Sequence, residues 1–195
     1  MNKFHPYLEA EIYLLKKANE LNTDLKDIVL KFLFVFNVFE SNFFEEPKYE
    51  NSENGEKLKT KSVSQRSYEI QELCKDKNYP LDFLKCFQTH FKSVYIKNNE
   101  VTYRFESLRK SEDNPNGYDD KNMRHIKTFL IKPLEDNKDY AIRNALSLSY
   151  RFRNNLFHGK KSLEFLQDYK NDFEVITTFL IKLMKYLNEI DADMF

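Results

Sequence analysis

The chain has 195 residues, with 31 Lys plus Arg against 31 Asp plus Glu, 41% hydrophobic residues and 15% aromatic ones. The balanced charge excludes a generally basic nucleic-acid coat, so any RNA affinity has to come from a local patch and is salt-sensitive. With 18 Phe, 12 Tyr, 3 Gly and 5 Pro, the composition favours long elements with few tight turns, an all-α class in one domain with room for a sizeable core.

Residues 6–21 read as a first helix, with Pro6 allowed in its first turn and Leu8, Ile12, Leu15 and Ala18 as its stripe. Asn22-Thr23-Asp24 is a capping cluster, and the next helix runs over 24–44. Apolar residues surround it almost completely from 28 to 39, which predicts the central helix of the fold. Asn37 and Glu40 interrupt it; they either simply reach the surface or point at a functional site. Residues 45–61 are polar, contain Gly55 and have no periodicity, so an exposed loop is expected.

Helices are expected over 62–77 and 80–96, separated by Asn78-Tyr79-Pro80. His90 lies beside the apolar stripe of the second and reads as structural. Residues 97–118 look irregular, with an alternating Val101-Thr102-Tyr103-Arg104-Phe105 as a short strand and a turn cluster at Asp113–Gly117. A helix over 119–131 carries the adjacent pair Arg124 and His125, which diverge by about 100° on a helix.

The helix over 137–157 buries Ile142, Ala145, Leu146, Ser149, Phe152 and Leu156. A second face with Arg143, Ser147, Tyr150 or Arg151, and Asn154 is expected to look outward. The last helix spans 162–190, where Leu166, Tyr169, Phe173, Ile176, Leu180, Leu183, Leu187 and Ile190 repeat at 3/4 spacing. Such a seam suits a bundle core or a coiled-coil dimer, and the chain length favours the core.

The most informative stretch is Arg151-Phe152-Arg153-Asn154-Asn155-Leu156-Phe157-His158-Gly159, followed by Lys160 and Lys161. Five residues turn a helix through about 500°, so Arg153 and His158 converge only if the helix ends or bends between them. Gly159 supplies such an end. Asn154 is four residues before His158 and shares its face if the last turn holds. Arginine forks onto phosphate oxygens, and histidine exchanges a proton near neutral pH. The plain alternative is that basic residues simply cap a helix C-terminus.

Arg153-Asn154-x-x-x-His158 resembles the signature of the HEPN family, and R-N-N-L-F-H-G-K is similar to its prokaryotic, phage-defence-associated (Apea-like) branch. The resemblance implies a small helical bundle and a metal-independent endoribonuclease. It further implies RNA as substrate, tRNA or single-stranded, and a homodimer in which two motifs face each other. Arg153, His158 and Asn154 would be catalytic, Lys160, Lys161, Arg151 and Arg143 would bind RNA, and Glu40 and Asn37 would support the site. A toxin–antitoxin or phage-defence setting, with an antitoxin or regulatory protein as partner, follows from the same resemblance. HEPN toxins paired with a nucleotidyltransferase usually carry a tyrosine two residues after the histidine; here that residue is Lys160. The alternatives are a catalytically silent HEPN-like module that binds RNA, a nucleotide or a protein, and a plain interaction domain built on the 166–190 seam.

Cys74 and Cys86 form no Cys-x-x-Cys, and His5, His90, His125 and His158 have no metal-ligand spacing, so neither metal nor cofactor is expected. The N-terminal residues do not read as a signal peptide, and the apolar run Phe32 to Phe39 is too short for a bilayer. A cytoplasmic protein with reduced thiols is expected.

Overall fold

The computed structural model describes residues 23–43, 63–75, 81–108, 118–157 and 163–192. The expected helix over 6–21, the 45–61 loop and the turn cluster at 113–117 lie outside the described residues. The chain is an all-α helical bundle. Its elements in order are α1 (Thr23–Phe43), α2 (Val63–Lys75), α3 (Asp82–Tyr95), strands β1 (Ile96–Lys97) and β2 (Glu100–Val101), and α4 (Tyr103–Glu106). Then come α5 (Tyr118–Ile131), a 3₁₀ turn (Leu134–Asp136), α6 (Lys138–Phe157), a 3₁₀ segment (Leu163–Tyr169) and α7 (Lys170–Ala192).

α1 packs on α7, α2 on α6, and α3 against both α7 and α5. The cores meet through aromatic edges: Phe32 lies 5.0 Å from Phe173 and 6.1 Å from Phe152, and Phe87 lies 4.8 Å from Phe179, ring centre to ring centre. Such offset and edge contacts add to area burial because ring edges are positive and faces negative. The 3/4 seam of the last helix is spent inside this core. Leu166, Phe173, Ile176, Leu180, Leu183 and Leu187 are all buried.

Two expectations need correction. α1 is not the enclosed helix, because Lys31, Phe34, Asn37 and Ser41 face outward, with Phe34 69% exposed. That place belongs to α6, every residue of which from Asn144 to Arg153 is buried. Two of its polar side chains bond to backbone: Ser149 Oγ donates to Ala145 O at 2.8 Å, and Asn155 Nδ2 donates to Ser107 O at 2.7 Å. At the other end, Gln71 of α2 reaches the start of α6. Its Oε1 accepts from the Ile142 and Arg143 N–H groups, and its Nε2 donates to Lys138 O.

The strand expected over 101–105 is also replaced. Asn98 and Asn99 adopt φ of 53° and 62° and close a two-residue hairpin that pairs Ile96 with Val101 and Lys97 with Glu100. Asparagine tolerates that left-handed conformation, which a tight hairpin needs. Thr102 then caps α4, its Oγ1 accepting from Phe105 N. In the last element, α7 begins at Lys170, with the preceding residues tightened into 3₁₀.

Candidate functional site

Arg153 sits in the last turns of α6 and reaches across to α1. Its Nη2 is 3.2 Å from Glu40 Oε2, and its guanidinium lies over the Phe36 ring, 5.4 Å from the centroid. The Arg153 side chain is 8% exposed and that of Glu40 28%. The guanidinium is thus fixed on one side by a carboxylate and on one face by an aromatic ring, a weakly hydrated cation held by charge and by π-contact.

Tyr150, one turn earlier on α6, packs its ring edge-on against Phe36 at 5.0 Å and is buried. Burial pushes its phenol far above the usual tyrosine range, and the Glu40 carboxylate raises it further. Arg153 and Arg66 pull it the other way. Arg66, on α2, is therefore close enough for its charge to act on the same phenol. Glu40, Arg153 and Arg66 thus all act on one buried phenol, which stays neutral in the physiological range.

The residues named from sequence divide clearly. Glu40 and Arg153 come together, and Asn154 beside them is half-buried. Asn37 is exposed on α1. Arg143 lies about three turns of helix away, half-buried over the Tyr68 ring at 5.7 Å. Arg151 does not face outward: it is 4% exposed, and its Nη1 donates to Leu108 O at 3.2 Å. Its charge holds the turn after α4, and this replaces the expected RNA contact. His158, Lys160 and Lys161 lie outside the described residues. α6 ends at Phe157, immediately before His158 in the chain. Arg66 was not singled out from sequence. Its neighbours Ser67, Ile70 and Cys74 are buried, so the stripe of α2 was the available signal.

A second polar cluster ties α3, α4 and α7. The buried Asp172 carboxylate meets His90 Nε2 through Oδ1 at 2.7 Å and accepts from Arg104 Nη2 through Oδ2 at 2.7 Å. Arg104 also lies over the Tyr169 ring at 4.5 Å. His90 thereby keeps the structural role expected of it, since both carboxylate oxygens are used to pin helices. Among the described residues, no group of three His, Cys, Asp or Glu side chains is placed to hold a metal ion, and no helix is long and apolar enough to cross a membrane.

Compared with known proteins, the chain matches no family model, no curated protein and no solved structure.

Proposed function

We propose that the chain is a HEPN-type, metal-independent endoribonuclease that acts as a toxin or phage-defence effector. The observation that carries this reading is Arg153 itself. A guanidinium held between Glu40 and Phe36 in the final turns of a helix, whose last residue directly precedes His158, fits the Arg153-Asn154-x-x-x-His158 resemblance. Glu40 supplies a fixed anchor for that guanidinium, and such anchoring is what a preorganised charge stabiliser requires.

In the proposed reaction the 2′-hydroxyl of RNA attacks the adjacent phosphorus. The O2′–P bond forms, the P–O5′ bond breaks, and the hydroxyl proton passes to a base while the leaving 5′ oxygen receives a proton from an acid. The ends are a 2′,3′-cyclic phosphate and a 5′-hydroxyl. His158 serves as one of the two proton-transfer groups, and Arg153 stabilises the charge on the non-bridging oxygens. A twofold dimer would supply a second His158 for the other transfer, because a twofold axis brings like residues together. Glu40 from each copy would offset the repulsion of two Arg153 side chains. tRNA or single-stranded RNA is the proposed substrate, in the cytoplasm, with an antitoxin or a phage-induced trigger restraining the enzyme.

A second reading rests on the same pair. An Arg153 that is 8% exposed and paired with Glu40 is also what a silent bundle would use to clamp α1 to α6. Such a module would bind RNA, a nucleotide or a protein and cleave nothing. The two part in one experiment: purified protein in excess EDTA, incubated with mixed tRNA and single-stranded RNA, wild type beside His158→Ala. Cleavage by wild type alone, leaving cyclic-phosphate ends, is the expected result. Intact RNA with wild-type protein that is folded and binds RNA would instead select the silent module.

A further inference from the structure

Outside the Arg153 niche, three helices bring an uncommon set of side chains to one surface. Tyr68 of α2 is 46% exposed and Tyr140 of α6 is 58% exposed. Arg143, three residues beyond Tyr140 and so on the same face of α6, carries its guanidinium over the Tyr68 ring at 5.7 Å. On the other flank of α6, Lys121, Arg124 and His125 of α5 are exposed. Among the described residues, the charges that act on His125 are Arg143, Lys121 and Arg124, all positive. Burial and these three cations hold its pKa below the usual histidine value, so the imidazole stays neutral near pH 7 and adds a flat ring.

An exposed tyrosine alone is common. Two of them beside three cations and a neutral imidazole form a band of rings with positive charge along it. Acids border the tyrosines, with Glu69 exposed beside Tyr68 and Asp139 beside Tyr140, while Glu72 is engaged by Lys75 at 3.6 Å; the positive end of the band is therefore the α5 side, where the charges acting on His125 are all positive. A bare phosphate has no use for two exposed rings. Unpaired bases do, because every base has a face to stack while its phosphates follow the cations.

We infer that the band formed by Tyr68, Tyr140, Arg143, Lys121, Arg124 and His125 binds single-stranded RNA by base stacking and phosphate contact. It deepens the ribonuclease reading and rests on it for the choice of RNA. From Tyr140 to Arg153 the chain climbs thirteen residues of α6, about 20 Å.

The test measures binding apart from cleavage. A labelled short oligouridine is titrated by fluorescence anisotropy in excess EDTA, with His158→Ala as the parent protein. Tyr68→Ala and Tyr140→Ala should each weaken binding about fivefold or more, whereas Tyr68→Phe and Tyr140→Phe keep it, because stacking needs the ring and not the hydroxyl. The pair Lys121→Gln and Arg124→Gln should flatten the plot of log affinity against log salt by about 1.4, at about 0.7 for each lost phosphate contact on a single strand. These side chains are exposed, so helicity should not change. Unchanged affinity in both Tyr68→Ala and Tyr140→Ala, an unchanged salt slope, or equal binding of a duplex of the same length each overturns the band. If wild type cleaves RNA while the tyrosines prove dispensable for binding, the band falls and the nuclease stands. If wild type never cleaves but binding depends on the tyrosines, the nuclease falls and the band stands.

Discussion

At the scale of single residues, burial decides which charges matter. Arg153 is enclosed and Glu40 is its carboxylate partner. Glu40→Gln leaves that cation with a neutral amide where water has little access, which should cost about 1–3 kcal/mol in urea unfolding. Adding Arg153→Met should recover part of the loss, because the desolvated charge goes with its side chain. A cost under about 0.5 kcal/mol would mean that the pair behaves as an ordinary surface bridge. Cys74 reports on the core in another way. It is fully buried, and burial pushes its thiol from 9.0 up to about 12. Above pH 9 the unfolded chain sheds that proton while the folded one keeps it. The stability that the buried thiol contributes is thus complete below pH 9 and is lost as pH rises toward 12, at about 1.4 kcal/mol per pH unit. Urea unfolding just below and just above pH 9 should show that slope in the wild type, with Cys74→Ala lacking one proton's worth of it. The buried phenols of Tyr95 and Tyr150 act in the same direction, but only from about pH 10 upward. The wild-type slope should therefore steepen there.

At the scale of elements, helices were legible and the roles of their faces were less so. Periodicity located α1, α2, α3, α5 and α6 to within a few residues, because a 3/4 apolar stripe is a property of the local sequence; α7 starts eight residues later than expected, after the 3₁₀ segment. Periodicity ranked the helices wrongly for burial. α1 has more apolar residues yet shows one side to solvent, while α6 is enclosed despite its Asn, Ser and Arg side chains. The reason lies in distant partners. Arg151 donates to Leu108 O and Asn155 to Ser107 O, both more than forty residues away. No window along α6 contains those acceptors, so polar residues that fasten a turn looked like residues waiting for RNA. The segment after α3 failed for a local reason. Val101–Phe105 alternates like a strand, but Thr102 can cap a helix, and the paired asparagines before it close a hairpin too soon for the strand to continue. Of the candidate site, the Glu40–Arg153 pair was legible as a possibility, since a carboxylate inside an apolar stripe needs a partner. Arg66 was not legible, because its approach to Tyr150 depends on how α2 lies along α6.

For the whole molecule, the seam of the last helix decides between two kinds of assembly. A 3/4 repeat over 166–190 can close a monomer or join two chains. Here the six aliphatic and aromatic residues of the repeat from Leu166 to Leu187 named above are buried against α1 and α3 within one chain. Any dimer, including the one proposed for catalysis, has to use another surface. Leu183 tests this directly, as it is fully buried within the hydrophobic core. Leu183→Asp would place an unpaired carboxylate there, a penalty of several kcal/mol that is comparable with the total stability of a domain, about 5–15 kcal/mol. The expected outcome is loss of the fold, seen as lost helical circular dichroism together with aggregation or an expanded chain in sedimentation. If the seam instead joined two chains, the same substitution would release a compact, helical monomer. A compact helical monomer would overturn the present assignment of the core, and with it the exclusion of this seam from the dimer interface.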